Sequence, residues 1–475
     1  MAALRRLLPY YRPYRRKVAT GLGLVVVSSA LASVVPWLLS DAIDAIRAGA
    51  RIGSVIRIAL AMVAAALVAG ALRYWMRELL NGVSRFIEFD VRNDLFARLT
   101  HQDAGFYARL RTGDLMARAT NDLGAVRMAA GPAIMYLTNT IFGGVFALAF
   151  MLRIDVRLTL LALAPMVLMP IITVRLGRML HDRFESVQEH FATMTTMAQE
   201  HIAGVRIVRA YRQESAEVER FARLGDVYLD RNLALARLYG IMHPVFSLLS
   251  GLGVVIVLWL GGLLALRGTI SVGAFVAFGF YLGMLTWPLI ALGWVINLFQ
   301  RGAASMRRLL DVLDAVPAVR EPEQPAVLPP LPPGRTGRTL EFRDVWFHYP
   351  SADAERRWVL RGVSFTVAAG ESLGVVGATA SGKSALMDLI PRLHDPQRGE
   401  ILLDGVPIRS LALDELRREI GYVPQESFLF SDTIRTNIGY GLPESERASD
   451  ATSGDGEAAV PWAAGIARLD DSIRR

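Results

Sequence analysis

Long apolar stretches alternate with strongly charged ones between residues 18 and 300 of the chain. A helix needs roughly 20 apolar residues to cross the hydrocarbon core of a bilayer. The pattern predicts six membrane-spanning helices, the second of which is short and is extended by the aromatic pair Tyr74 and Trp75. The predicted spans are residues 18–40, 58–72, 128–152, 158–174, 238–266 and 268–300.

The two longest connections between these spans, residues 73–127 and 175–237, also have helical periodicity. Their apolar residues recur at helical spacing, and few helix breakers interrupt them. One interpretation is that they are ordinary amphipathic surface helices. Their length favours helices that continue far beyond the membrane, turn near a charged tip and contact another part of the protein.

The positions of the basic residues predict the orientation of the spans. Lysine and arginine accumulate on the cytoplasmic side of membrane proteins. The segment before the first span carries Arg5, Arg6, Arg12, Arg15, Arg16 and Lys17. We therefore expect a protein integral to the plasma (inner) membrane. Its N-terminus, both long connections and everything after the sixth span would be cytoplasmic.

The composition excludes several classes of protein. Hydrophobic residues make up 53% of the 475 residues, and the mean hydropathy of +0.34 is too high for an ordinary soluble enzyme. Arginines beside apolar stretches explain the net charge of +8, so we expect a lipid bilayer and no nucleic acid as partner. The absence of cysteine excludes disulfides, cysteine-containing metal sites and thiol catalysis. The first apolar segment is too long for a signal peptide, and we expect it to be retained.

The composition changes at residues 321–338, EPEQPAVLPPLPPGRTGR, a proline-rich stretch typical of an extended linker. Beyond it, short apolar runs and a helical pattern from Lys383 predict an α/β domain. We expect a transmembrane domain over residues 1–312, a linker over 313–338 and a second domain over 339–475. The predicted strands are residues 340–342, 345–347, 363–367, 373–376, 401–403 and 420–423.

The candidate chemistry lies in GATASGKS, residues 377–384, which fits G-x-x-x-x-G-K-[ST] between a predicted strand and a predicted helix. Backbone N–H groups of such a loop, together with the start of the helix, bind phosphate oxygens. Lys383 would neutralise the β- and γ-phosphates, and the Ser384 hydroxyl would bind Mg²⁺. The alternative is a glycine-rich turn, which the strand–loop–helix context disfavours. The predicted nucleotide-binding residues are Gly377, Ala378, Thr379, Ala380, Ser381, Gly382, Lys383 and Ser384.

Four further segments resemble the ABC exporters, in particular the half-transporters in which six spans precede one nucleotide-binding domain. They are LEFRDVWFHYP (340–350), IGYVPQESFLFSDTIRTNI (420–438), TGDLMARATNDLGAVR (112–127) and AQEHIAGVRIVRAYRQE (198–214). The resemblance covers nearly the whole chain and is closest to multidrug- and lipid-type exporters. It implies an α-helical transmembrane domain with six spans and long intracellular helices, followed by a partial α/β P-loop nucleotide-binding domain.

The resemblance also implies roles for single residues. Tyr349 matches the aromatic residue that stacks on adenine, and Gln425 matches the catalytic glutamine that contacts Mg²⁺ and the attacking water. Without the flanking segments, Tyr349 would be an ordinary strand aromatic and Gln425 a surface glutamine. Segments 112–127 and 198–214 match the intracellular loops whose tips are coupling helices that press on the nucleotide-binding domains.

The resemblance implies a function as well. The cofactors would be ATP and Mg²⁺, and the partner a second half-transporter in a homodimer or heterodimer. The expected activity is ATP-driven efflux of an apolar or amphipathic substrate, a drug or a lipid, across the membrane.

The chain departs from the family pattern in two respects. Ala380 stands where a glycine is usual, which matters if the backbone φ there is positive. The LSGGQ signature, the strand that ends in Asp–Glu and the switch histidine are missing, and the last histidine is His394. Residues 401–404 resemble an acidic strand end, but the following Gly405 favours a turn.

We therefore expect a C-terminally truncated exporter subunit that binds ATP and hydrolyses it poorly by itself. The alternatives are a non-hydrolysing partner subunit, an inactive fragment, and a membrane channel or receptor gated by nucleotide.

Overall fold

The computed structural model describes residues 2–335, 337–349, 358–425, 428–442 and 456–469. The side chains of Pro170, Val174, His243, Leu289, Ile290 and residues 456–458 lie outside this description, as do Pro350, Glu426 and Ser427 of the segments quoted above. The chain divides into two compact units, Met1–Pro317 and Ala318–Arg475. The predicted domain boundaries after residues 312 and 338 stay predictions.

Six helical stretches in the described part of the first unit are long and apolar enough to cross a membrane, which confirms the predicted number of spans. They are Ala2–Arg47, Ile52–Thr100, Thr112–Ile154, Val156–Ala203, Glu214–Leu266 and Val272–Leu313. Each extends beyond its apolar stretch because charged residues continue a helix as well as apolar ones do. Glu88, for example, forms ion pairs with Arg85 and Arg92 on the surface of the second stretch.

A short helical segment begins the first unit, and long helices follow it. The segment consists of Ala2–Leu7, Leu8–Tyr11 and Arg12–Tyr14. The helices are α1 (Arg15–Arg47), α2 (Ile52–Thr100), α3 (Ala104–Arg109), α4 (Thr112–Ala117), α5 (Leu123–Ala130), α6 (Pro132–Ile154), α7 (Val156–Ala203), α8 (Val205–Ala210), α9 (Glu214–Ile256), α10 (Gly262–Leu266) and α11 (Val272–Leu313). Two π-helical turns, Arg118–Asp122 and Val257–Gly261, join α4 to α5 and α9 to α10.

Both long connections are helical, as predicted, and each turns through a short helix at its tip. At the first tip, the Asp103 carboxylate caps α3 by accepting a hydrogen bond from Phe106 N at 2.9 Å. At the second tip, Gly204 separates α7 from α8 and donates its N–H to Glu200 O at 2.7 Å. Helix α8 lies inside the segment 198–214, whereas α3 precedes the segment 112–127.

Two large apolar clusters and a smaller third one hold the described part of the first unit together. One joins α6, α7, α9 and α11. The other joins the N-terminal segment, α2, α5 and α11 through completely buried side chains such as Ile87, Leu123 and Met306. The small cluster joins α1, α2 and α6 through Val25, Met76, Leu80 and Met135. Because α11 belongs to both large clusters, it links them.

The second unit is built on a small antiparallel sheet. Its elements are β1 (Leu340–Phe347), β2 (Leu360–Val367), α12 (Lys383–Leu389), β3 (Arg398–Leu403), β4 (Val406–Pro407), α13 (Leu413–Arg418), α14 (Ile434–Ile438) and α15 (Gly456–Ile466). The strand order is β2-β1-β3-β4. The predicted turn after residue 403 is confirmed, since Asp404 and Gly405 have φ values of +48° and +81° between β3 and β4.

Two strand predictions, residues 373–376 and 420–423, were wrong. Neither segment pairs with a neighbour among the described residues. A strand forms only where its backbone groups bond to an adjacent strand, and apolar composition does not supply that neighbour. The consequence is apolar exposure: Val376 and Val423 are 96% and 93% exposed.

The proline-rich stretch belongs to the second unit and packs on its sheet. Its described residues, 321–335 and 337–338, form no helix, but Ala326 N donates to Ser410 O at 2.8 Å and Leu328 is buried in the core of the unit. Arg338 closes the stretch: its guanidinium bonds to Asp404 at 3.0 Å and to both carboxylate oxygens of Glu419 at 2.9 and 3.0 Å. The side chain of Arg338 is 10% exposed.

We predict that Arg338→Ala destabilises the second unit by about 2 kcal/mol, because Asp404 and Glu419 lose their shared, buried cation, although Asp404 keeps Arg335 and Glu419 is 31% exposed. The opening free energy of the β1 and β3 amides, measured by hydrogen exchange on the full chain, is the readout. The control is Arg343→Ala. Arg343 also bridges two carboxylates, Glu341 and Glu400, but is 51% exposed. Arg343→Ala should destabilise the unit by less than about 1 kcal/mol. Equal destabilisation by Arg338→Ala and Arg343→Ala would contradict the prediction.

His201 ties the two helices of the second long connection together. It lies in the last turn of α7, beyond the apolar part of that helix. One ring nitrogen contacts Met197 O at 2.7 Å and the other contacts Glu217 Oε2, on α9, at 2.7 Å. Both partners accept hydrogen bonds, so only the protonated ring donates to both. The bond to Met197 O and the bond to Glu217 raise the pKa of His201, while Arg220 opposes them.

We predict that this second tip loosens as the pH rises. Because the pKa of His201 is raised in the folded state, its stabilising contribution is complete below about pH 6.5 and is lost as the pH rises through the folded value. A spin label on Tyr211→Cys, in a chain without natural cysteine, should gain mobility over that range, and His201→Gln should remove the dependence. His190→Gln, on the same helix, is the control. Mobility that is independent of pH in the unaltered chain would refute the prediction.

Candidate nucleotide-binding site

The loop 377–384 is closed by two glycines. Gly382 has a φ of +94°, and a Cβ there would lie 3.1 Å from Val359 O and from the Leu360 side chain. A Cβ on Gly377 would lie 2.7 Å from Ser381 Oγ. Only glycine fits these positions without displacement of a neighbour. The helix α12 then begins at Lys383, as the sequence predicted.

Lys383 lies across the loop. Its Nζ donates to Gly377 O at 2.9 Å and to Ala378 O at 2.8 Å, and it contacts Ser381 Oγ at 3.4 Å. Lys383 thus brings together four of the eight predicted loop residues: Gly377, Ala378, Ser381 and Lys383 itself. Ser384 is exposed in the first turn of α12, and Thr379 is exposed on the loop.

Ala380 has a φ of +64°. The replacement of the usual glycine by alanine therefore matters, because the backbone here is in the left-handed region. An alanine in the left-handed region places its Cβ too close to the following carbonyl oxygen, at a cost of roughly 1–2 kcal/mol. The loop therefore holds a strained residue at the place where a glycine would be relaxed.

Tyr349 follows β1 and packs among aromatic side chains. The ring packs edge-on against Phe347 and His394, at centroid distances of 4.9 and 5.4 Å, and is 40% exposed. Burial and, to a smaller extent, the Asp388 carboxylate raise the pKa of Tyr349. An aromatic face of this kind can support a planar base.

Asp388, which its sequence context did not mark out, links α12 to a distant segment. Its Oδ1 accepts a hydrogen bond from the Tyr422 hydroxyl at 2.7 Å, and this bond raises the pKa of Tyr422 to about 12. The bond fixes the segment 420–423 to α12, behind the loop. The only sequence signal was a carboxylate five residues after Lys383 in an otherwise apolar helix.

Gln425 is exposed and follows Tyr422 by three residues. Among the described residues, no hydrogen bond joins it to Lys383 or Ser384. The bond between Tyr422 and Asp388 therefore ties the segment that leads to Gln425 to α12, the helix that follows the loop. No group of three or more histidine, aspartate or glutamate side chains in the described part of the chain could hold a metal ion alone.

We predict that Ala380→Gly tightens binding of ATP by up to about fivefold, or ~1 kcal/mol. Glycine removes the strain of the left-handed alanine, and this gain exceeds the entropic cost of ordering a more flexible glycine. Equilibrium binding of a fluorescent ATP analogue to the purified chain measures it. Ala378→Gly is the matched control: the φ of Ala378 is not positive, so this glycine should only weaken binding. A weakening of similar size in both variants would disprove the role given to the strain.

Two family profiles match the chain. One, for the ABC transporter transmembrane region, covers residues 18–289, and one, for the ABC transporter, covers residues 360–468. A probable multidrug resistance ABC transporter ATP-binding/permease protein of Bacillus subtilis is 35% identical over 93% of this chain and 74% of the relative. The multidrug resistance-like ATP-binding protein MdlA of Escherichia coli is 32% identical over 91% and 72%. An ATP-dependent lipid A-core flippase of Syntrophus aciditrophicus is 31% identical over 93% and 72%.

These matches extend across both units of the chain, and they agree with the six long apolar helices of the described residues and the glycine-rich loop that follows them. The chain therefore belongs to the ABC transporter family, whose members are ATP-hydrolysing membrane translocases.

Proposed function

We propose that the protein is a half-transporter that uses ATP to export an apolar or amphipathic substrate, a drug or a lipid. The observation that carries the proposal is the closed loop around Lys383, in a chain with six helices able to span a membrane. The names of the relatives support the substrate class, since two are called multidrug resistance proteins and one a lipid A-core flippase.

The loop residues fit ATP and Mg²⁺. The ammonium of Lys383 would leave Gly377 O and Ala378 O for phosphate oxygens, and Tyr349 would support the adenine ring. The exposed hydroxyl of Ser384 and the amide oxygen of Gln425 are hard ligands of the kind that Mg²⁺ prefers. Bound there, Mg²⁺ would neutralise charge on the phosphates.

The surroundings follow from charge and from the fold. The basic residues before α1 and in its first turn favour a cytoplasmic N-terminus, and with it cytoplasmic tips and a cytoplasmic second unit, where ATP is available. The membrane is then the plasma (inner) membrane. The partner is a second half-transporter, either another copy of this chain or a homologue.

The chain offers a direct test of nucleotide binding, since only two of its 52 basic residues, Lys17 and Lys383, are lysines. An acyl-phosphate derivative of ATP transfers its acyl group to a lysine amine beside the bound phosphates. We predict acylation of Lys383 that an excess of ATP suppresses at least about tenfold, the ratio for ATP at ten times its dissociation constant. Peptide mass spectrometry measures it.

Lys17 provides the internal control, because its acylation should not respond to ATP. Acylation of Lys383 that ATP leaves unchanged would exclude the proposed site. Transport is tested separately, by ATP-dependent uptake of a fluorescent lipid or dye into vesicles that contain the protein.

A further inference from the structure

A row of polar and charged side chains joins the first tip to the end of the sixth spanning helix. The Asp122 carboxylate accepts hydrogen bonds from Ser305 Oγ at 2.9 Å and from Arg308 Nε at 2.7 Å, and Arg308 Nη2 makes a second bond to it. Asp122 is 7% exposed. It is thus a buried carboxylate whose partners all lie on α11.

Arg118 continues the row away from the membrane. Its Nη1 donates to Arg308 O at 2.6 Å and lies 3.5 Å from Asp311 Oδ2, while its Nε donates to Asp114 at 2.9 Å. Positions 118 and 122 therefore face positions 305, 308 and 311 in antiparallel order, and Asp114 supports Arg118 from within its own segment. Both rows carry both signs of charge, so a shifted register would bring like charges together.

The row lies beside a closely packed apolar contact. Leu123 and Val126 pack in one cluster with Met306 and Leu309, and all four are buried almost completely. Contacts between apolar side chains are adhesive but not directional, so they tolerate sliding better than ion pairs do. A slide would leave Asp122 charged, buried and without its cation, which is strongly unfavourable.

The row also has a place in the path between the units. Helix α11 ends at Leu313, and the second unit begins five residues later, at Ala318. The facing segment, Arg118–Asp122, is π-helical, a conformation that recurs at functional sites. It follows α4 directly and so lies next to the first tip.

We propose that Asp122 and Arg308, supported by Ser305 and Arg118, are positioning residues that fix the first tip to the end of α11. Any displacement that ATP binding causes at the end of α11 is then transmitted to α3 and α4. This inference rests on the proposed function, because it assigns a role in the response to ATP.

The test is hydrogen exchange of the full chain in lipid nanodiscs, with and without ATP and Mg²⁺. In the unaltered chain, ATP should change exchange in residues 302–313 and in residues 104–122 together. In Asp122→Asn the change at 302–313 should persist, and the change at 104–122 should fall at least about fivefold, as expected when a coupling of ~1 kcal/mol or more is lost. Arg308→Lys keeps the positive charge but loses the two paired hydrogen bonds. Its ATP-dependent change at 104–122 should lie between those of the unaltered chain and Asp122→Asn.

Two controls separate positioning from damage to the fold. Arg307→Ala removes an exposed arginine next to Arg308 and should leave the response intact. In every variant, exchange at the second tip, Val205–Ala210, should match the unaltered chain. If Asp122→Asn raises exchange in all parts of the chain, the change at 104–122 in Arg308→Lys decides between the outcomes.

The outcomes that overturn the proposal are distinct. ATP protection of Lys383 from acylation is measured on the same samples. Protection combined with a response at 104–122 that survives in Asp122→Asn and Arg308→Lys overturns the positioning role alone. The positioning role is also overturned if ATP protects Lys383 but does not change exchange at 104–122 in the unaltered chain. Loss of protection overturns the proposed function, and this inference with it.

Discussion

The structure depends on the need of a membrane helix to satisfy its own backbone hydrogen bonds. No water in the hydrocarbon core replaces a missing bond, so each span has to be a helix. Here the same helices continue outside the core: α2 has 49 residues, a length of about 70 Å, against a core of about 30 Å. The backbone that crosses the bilayer therefore also carries the distant tip, and movement at one end of such a rod displaces the other.

Long helices of this kind need contacts that decide which helices are neighbours and that stop them from sliding along one another. The apolar cluster around Ile87, Leu123 and Met306 decides which helices are neighbours, whereas the ion pair of Asp122 with Arg308 fixes their register. The second long connection uses a comparable device, the contact of His201 with Glu217. The first pair keeps its charges throughout the neutral range, while the second depends on protonation of His201, so the two tips differ in their response to pH.

Local features of this fold could be predicted from the sequence, and features that depend on distant contacts could not. The six spans and the continued helices follow from the periodicity of apolar residues, and Lys383 was recognised as a helix start from the loop pattern. The segments 373–376 and 420–423 have the composition of strands, but pairing needs a neighbour that composition does not show. Leu328, inside a proline-rich stretch, and Asp388, inside an apolar helix, gain their roles only from packing. The sign of φ at Ala380 likewise depended on how the loop closes.

The scarcity of lysine gives a separate argument about the loop. Arginine occupies almost every basic position of the chain, including those in ion pairs such as Arg338 and Arg308, where a planar fork of donors binds a carboxylate with two bonds. Lys383 is different, since its ammonium fits between two carbonyl oxygens of a tight loop. A compact ammonium on a flexible stem can turn from those carbonyls to a phosphate, whereas a guanidinium there would have to reorient its whole plane. The choice of lysine in the loop thus indicates that the loop requires a small, movable cation.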